Sequence, residues 1–250
     1  MMRMRNYLYF SLGVIFLIIL SSPLPAEEKP YRCHQRIGEI LIDGEIKEKA
    51  WERAEIIDTF YILGTDEPAV SKSRAYLLWD KDFLYIGVDM EDKDLWADRE
   101  GHDEDLWNND VIELFLKPRE DSFHYYEFEI NPLNATLDLF YPRRGAGRWE
   151  RWKGYESGII SAVTLKGTLN EWRDIDKGWT VEFKIPFKSF QETVSPPRLG
   201  DWWRFAICRY NYSVHLPSDY SMGRELSTST PIKEKAFHFY EYYQVLIFAE

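Results

Sequence analysis

Two side-chain chemistries are abundant in this sequence, carboxylates and aromatic rings. There are 42 Asp and Glu, ten Trp, sixteen Tyr and fifteen Phe, so aromatic residues make up 16% of the chain. Paired carboxylates can serve as general acid and base, but that chemistry needs two of them at a defined separation, and no pair is marked out by its context. The sequence has no G-x-S-x-G elbow, no H-E-x-x-H pair and no glycine loop for a phosphate. Neither cysteine sits in a catalytic setting, and the five histidines are scattered without a zinc spacing. These absences predict a non-catalytic protein.

The stretch HDEDLWNNDVIELFLKP, residues 102–118, sets Trp107 among acids and amides just before a strand-like run. A ring in that position is available for contact from outside. Sugar rings present apolar C–H faces, and exposed aromatic platforms flanked by carboxylates and amides suit them. The alternative is that Trp107 caps the edge of the core. For Trp51, Trp79, Trp179 and Trp202, which lie within strand or helix patterns, a core role is favoured. The preceding acids, Asp92, Asp94, Asp103 and Asp105 together with Asp98 and Asp110, offer oxygen ligands of the kind calcium takes. Their spacing is not that of an EF-hand, and a plain solvated loop is the competing reading.

The elements that must carry these residues read mainly as strands. EILIDG is a short apolar run closed by Asp43-Gly44, and EIKEKAWERA has the composition of one short helix. RAYLLWD and FLYIGVDME flank a two-residue connection, Lys81-Asp82, as in a hairpin. DVIELFLKP alternates, with Ile112, Leu114 and Leu116 on one face and Val111, Glu113 and Phe115 on the other. FHYYEFEINP and ATLDLFYP form a further pair, followed by GIISAVTLKGTLN, GWTVEFKIPF, WRFAICRYNYS and YYQVLIF. Strands at this spacing predict an all-β, antiparallel β-sandwich of jelly-roll or immunoglobulin-like type, one domain over residues 27–250 with short helices in loops. YPRRGAGRWERWKGYESG and YNYSVHLPSDYSMGRELSTSTPIKEKA read as long irregular segments, a kind that is usually functional or mobile.

At the N-terminus, Arg3 and Arg5 precede an apolar run from Tyr7 to Leu20, then small residues and prolines up to Ala26. This is the layout of a secretory signal peptide over residues 1–26, about 14 apolar residues being short of the roughly 20 that span a bilayer. An uncleaved anchor is the alternative. Cleavage predicts a secreted or periplasmic protein without stable membrane insertion. The formal charge of −11 becomes two units more negative without Arg3 and Arg5, which argues against nucleic acid and anionic membranes as partners. In an oxidising compartment Cys33 and Cys208 are expected to pair, a closure worth roughly 4 kcal/mol in the chain-entropy model; two buried thiols are the other possibility.

IDGEIKEKAW, AYLLWDKDFLYIGVDMED, DLWNNDVIELFLKP, GWTVEFKIPF and YYQVLIF occur in an order that resembles the family 9 carbohydrate-binding modules, over roughly residues 36–248. The resemblance implies a β-sandwich that binds a polysaccharide or oligosaccharide, with bound calcium in some members and association with secreted glycoside hydrolases. Members grip a glycan chain end between two aromatic rings. The first ring falls on Trp107 and the hydrogen-bonding acid on Glu113, within WNNDVIE. The second falls on Phe237, with Phe239 and Tyr240 as neighbouring alternatives. Where sugar-binding members carry an arginine in the strand, this sequence has Glu129, on one face with Tyr125, Glu127 and Asn131. Glu113, Glu129 and Asn131 are thus the expected hydrogen-bonding partners of a glycan, and two carboxylates are brought near each other. The same sandwich also resembles haem-binding electron-transfer domains, with Met90, Met222 and the histidines as conceivable axial ligands. A structural or protein-interaction sandwich that has lost its ligand is the third reading.

Overall fold

The computed structural model describes residues 29–190 and 193–250; the predicted leader, residues 1–26, lies outside the described residues. Thirteen strands are present: β1 Tyr31–Gln35, β2 Ile56–Ile57, β3 Tyr61–Ile62, β4 Ser73–Trp79, β5 Phe83–Met90, β6 Val111–Lys117, β7 Tyr125–Ile130, β8 Thr136–Tyr141, β9 Ile160–Leu165, β10 Trp179–Pro186, β11 Trp202–Tyr212, β12 Arg224–Thr228 and β13 Gln244–Ala249. The helices among the described residues are short 3-10 turns, one of them at Lys49–Arg53 around buried Trp51. None of the described helices is long and apolar enough to cross a membrane.

The strands follow the order β8-β7-β6-β11-β13-β1-β4-β5-β10-β9, with β12 and β3 attached beside β11 and β2 beside β4. The sheet curls so that its two halves face each other across one core. Ile112, Leu114, Leu116, Tyr126, Phe128, Phe205 and Ile207 come from one half, and Leu77, Ile86, Val88, Val181, Phe183 and Ile185 from the other. The alternation read in DVIELFLKP is thereby realised, with the even positions of β6 in this core. The expected β-sandwich is present and largely antiparallel. The exception is β1, which runs parallel to both β13 and β4 and joins the two halves.

Three local expectations are corrected. EILIDG forms no strand: residues 39–44 are irregular, and Ile40 packs beside Trp51 instead. β12 lies inside a segment read as irregular, because RELST has little apolar alternation and owes its strand form to pairing with β11. The expected Cys33–Cys208 bridge is absent, and both are free, buried thiols. Cys33 packs in the core between the halves, whereas Cys208 packs on the outer face of β11, so the sheet itself stands between them.

One buried ion pair ties the halves together at the top of the core. Arg209 Nη2 on β11 donates to Asp92 Oδ2 at 3.0 Å and to Glu91 O at 2.9 Å, and Nη1 donates to Ser73 Oγ at 3.2 Å. Neither charged side chain is accessible to solvent. Burial pushes Asp92 up to about 6 against the pull of Arg209. Removing one partner of such a pair strands the other charge, so Arg209→Met is expected to lower the urea unfolding free energy by about 3–5 kcal/mol. A variant as stable as the parent would show the pair to be dispensable.

Candidate functional site

The candidate site lies on the outer face of β6, β7, β8 and β11, opposite the core. β6 pairs with β7 so that Glu113 sits directly across from Glu129, and Phe115 across from Glu127. Because side chains alternate along a strand, Glu113, Glu127 and Glu129 all leave the core and meet on this outer face. Their relative exposures are 2%, 4% and 0%, and one oxygen from each lies within 4.8 Å of the other two. Neither oxygen of Glu129, nor Glu127 Oε2, finds a hydrogen-bond donor among the described residues.

Above these carboxylates opens a cavity of about 490 Å³, lined by Glu113 and Glu127 and walled by Trp107, Tyr125, Tyr141, Trp149, Tyr210, Phe237 and Phe239. Trp107 belongs to the short turn Leu106–Asn108 that leads into β6. Its carbonyl accepts from the Tyr212 hydroxyl at 2.8 Å, and its ring meets Trp149 edge-on, with centroids 5.2 Å apart at 85°. Phe237 packs against Tyr210 at 5.4 Å and Phe115 at 6.4 Å. Arg144 lies over Phe239 at 4.3 Å and is held by both oxygens of Glu241.

Of the residues expected to bind a glycan, the structure brings Trp107, Glu113 and Phe237 together at the cavity, while Glu129 lies fully buried across from Glu113 and does not reach the lining. Tyr240 stands outside the lining, packed on Tyr125 at 5.6 Å and beneath Lys117 at 5.3 Å; its neighbour Phe239 lines the cavity in its place. Asn131 is fully buried elsewhere. Its amide nitrogen donates to Arg99 O and Asn109 Oδ1, and its oxygen accepts from Leu133 N and Ala135 N, so nothing is left for a ligand. Trp149, Tyr210, Tyr141 and Arg144 were not foreseen. Trp149 sits in the long segment flagged as irregular, and the alternation of YYEFEI already put Tyr125 and Glu127 on the face of Glu129.

The four aspartates proposed as one calcium set are not gathered. Asp92 is taken by Arg209, and Asp94 Oδ2 accepts from Val214 N. Asp105 is paired with Arg99, and Asp103 faces His102. Of the conceivable haem ligands, Met90 is fully packed in the core and Met222 is exposed on a turn.

Burial, reinforced by mutual repulsion, pushes Glu113 and Glu129 well above the usual carboxylate range; burial also raises Glu127, with His238 opposing. Burial and the glutamates raise the Tyr210 and Tyr141 hydroxyls as well. For an acid raised in the folded state, the native chain keeps protons that the unfolded chain has lost. Stability therefore falls as pH climbs above about 4.5 toward the raised values, by up to about 1.4 kcal/mol per pH unit for each retained proton. Glu129→Gln is expected to gain on the parent in urea unfolding at pH 8 and to match it at pH 5. Equal gains at both values would place the carboxylate outside this balance.

The profile of the family described as carbohydrate family 9 binding domain-like matches residues 42–201. Endo-1,4-beta-xylanase A of Thermotoga maritima is 32% identical over 165 residues, and exoglucanase XynX of Acetivibrio thermocellus 25% identical over 173. The matched parts are 63% and 69% of this chain but 13% of either relative. Among solved structures, the family 9 module of Caldicellulosiruptor kristjanssonii in complex with cellotriose superposes with a TM-score of 0.58 at 16% identity, over 87% of this chain and 93% of that one. A candidate carbohydrate-binding protein of Bacteroides uniformis gives a TM-score of 0.65 at 15% identity, over 88% and 100%. The sandwich, its register and the profile match over most of its strands agree: the chain belongs to the carbohydrate family 9 binding domain-like family.

Proposed function

We propose that this chain is a non-catalytic saccharide-binding module whose ligand enters the cavity between Trp107 and Phe237. The observation that carries this reading is the composition of the cavity, aromatic rings around a floor of carboxylates, in a chain whose family is built for carbohydrate. The half-buried faces of Trp107 and Trp149 offer apolar platforms to the C–H faces of a sugar ring. Glu113 and Glu127, which reach the lining, accept from hydroxyl groups that point down. Cellotriose and glucose occupy the solved Caldicellulosiruptor modules, and gluco-configured oligosaccharides are the first class to test here. The leader directs binding outside the cytoplasm, where secreted glycoside hydrolases act on the same polymers.

The test is calorimetric titration of the purified chain with a panel of neutral oligosaccharides, beside Trp107→Ala. Stacking on an aromatic face contributes about 1–3 kcal/mol by analogy with bases on aromatic platforms, so the variant is expected to bind about 10–100-fold more weakly with its fold intact. Affinity unchanged in the variant would move the ligand away from this cavity. A parent chain that binds no saccharide at all would remove the reading.

A further inference from the structure

A second cluster lies on the other face of β8, away from the cavity. Asp138, directly across from Phe128, is 1% exposed, and its Oδ1 finds no hydrogen-bond donor. Three further groups converge there. His102 Nε2 lies 3.5 Å from Asp138 Oδ1, 3.6 Å from Asp103 Oδ1 and 3.4 Å from Glu156 Oε2. The other ring nitrogen is committed, since His102 Nδ1 sits 2.9 Å from the carbonyl oxygen of Thr136, which can only accept, and 3.0 Å from the Thr136 hydroxyl, which can accept as well. Nδ1 therefore carries the proton, and in the neutral ring Nε2 turns a lone pair toward three carboxylates. Four acceptors face one another, an arrangement that a cation between them resolves.

Distance decides which cation. A proton on Nε2 would draw an oxygen to about 2.7–2.9 Å, the length of a charge-assisted hydrogen bond. The observed 3.4–3.6 Å is instead close to the separation of about 3.3–3.6 Å between ligands of a tetrahedral ion with bonds of about 2.0–2.2 Å. A histidine whose far nitrogen is fixed by a backbone carbonyl is also the usual state of a metal-bound imidazole. The nitrogen donor favours zinc-like ions over calcium, which takes oxygen. We infer that His102, Asp138 and Glu156 form a binding site for a divalent ion of the zinc class, with Asp103 adding negative charge beside it. His102 precedes Trp107 by five residues and Glu156 follows Trp149 by seven, so an ion here fastens both segments that supply the paired wall rings to β8.

Zinc titrated calorimetrically into the chelator-stripped full chain is expected to saturate a site that calcium does not compete for. His102→Ala and Asp138→Asn should each weaken it by at least about tenfold. Cobalt in the same site should give the visible absorption of a tetrahedral centre. His102 is partly exposed, so its variant should fold even where Asp138→Asn does not. Failure of zinc to saturate, or equal affinity in His102→Ala, overturns the site.

A different observation bears on the cavity and rests on the saccharide reading above. Glu113, Glu127 and Glu129 are all buried, yet no ion pair to them is present among the described residues. Glu182 shows what a satisfied buried glutamate looks like here: its carboxylate accepts from Trp51 Nε1 and from the Asp43 and Gly44 amides. The three glutamate oxygens lie within 4.8 Å of one another, close enough for a single cation to interact with all of them. The rings of Tyr125, Tyr141 and Tyr210 complete a surrounding that attracts a cation. We propose that the saccharide held in this cavity is an amino sugar whose protonated amine sits on Glu113 and Glu127, with the carboxylate of Glu129 close behind them.

Titration with glucosamine oligomers, their N-acetylated forms and neutral gluco-oligomers of equal length separates the outcomes. The amine form is expected to bind at least about tenfold more tightly than the other two, and Glu129→Gln should reduce that preference. Neutral oligomers binding as well as the amine form would overturn the charge assignment and leave the saccharide reading standing. Binding of none of the three would remove both. A second zinc equivalent lost in Glu129→Gln would give the floor to a metal and overturn the amine.

Discussion

The register of β6 against β7 is the constraint from which the site follows. It sets Glu113 across from Glu129, and the two-residue period of a strand does the rest. Every residue that alternates with the apolar core positions Ile112, Leu114 and Leu116 must face outward, and so must those that alternate with Tyr126, Phe128 and Ile130. A slip of one residue in β7 would drive Glu127 and Glu129 into the core and turn Tyr126, Phe128 and Ile130 out. The burial of one face therefore holds the other in place, and the acidic floor is as rigid as the core behind it.

Where the protein buries charge for the sake of its fold, it supplies partners. Arg209 and Asp92 neutralise each other between the halves, and Glu182 collects three N–H donors beneath the turn at Gly44. Among the described residues, buried carboxylates without donors gather into clusters at the cavity floor and around His102 and Asp138, besides single oxygens of Glu48 and Asp174. Such groups are costly to desolvate, and it is on these two clusters that the proposed ligands would act.

The walls are made differently from the floor. Trp107 comes from a short turn, Trp149 from the long connection after β8, and Phe237 and Phe239 from the segment before β13. Rings from loops, set around a floor fixed by strands, allow the cavity to be shaped without disturbing the sheet. The edge-on contact of Trp107 with Trp149 and the stack of Arg144 on Phe239 brace these rings against one another.

Much of the sandwich is readable in the sequence, because burial of one face imposes a period of two. The strand patterns of β4 to β11 and of β13 stand out, and so do the outward placement of Glu113 and Glu129 and the position of Trp107 beyond the apolar pattern. Elements with little apolar content are not readable. β12 and the parallel β1 owe their strand form to neighbours, and Cys33 and Cys208 were separated by a sheet that sequence distance does not reveal. Asn131 shares a strand face with the glutamates, yet its amide is consumed by Arg99 and Asn109, partners chosen by loop packing. The pairing of Trp107 with Trp149 and the approach of His102 and Asp103 to Asp138 and Glu156 join segments far apart in the chain. The sequence by itself determined the alternation, and with it which side chains leave the core. Which of them meet was decided by the tertiary structure alone, since strand order and loop packing set distances that no local pattern encodes.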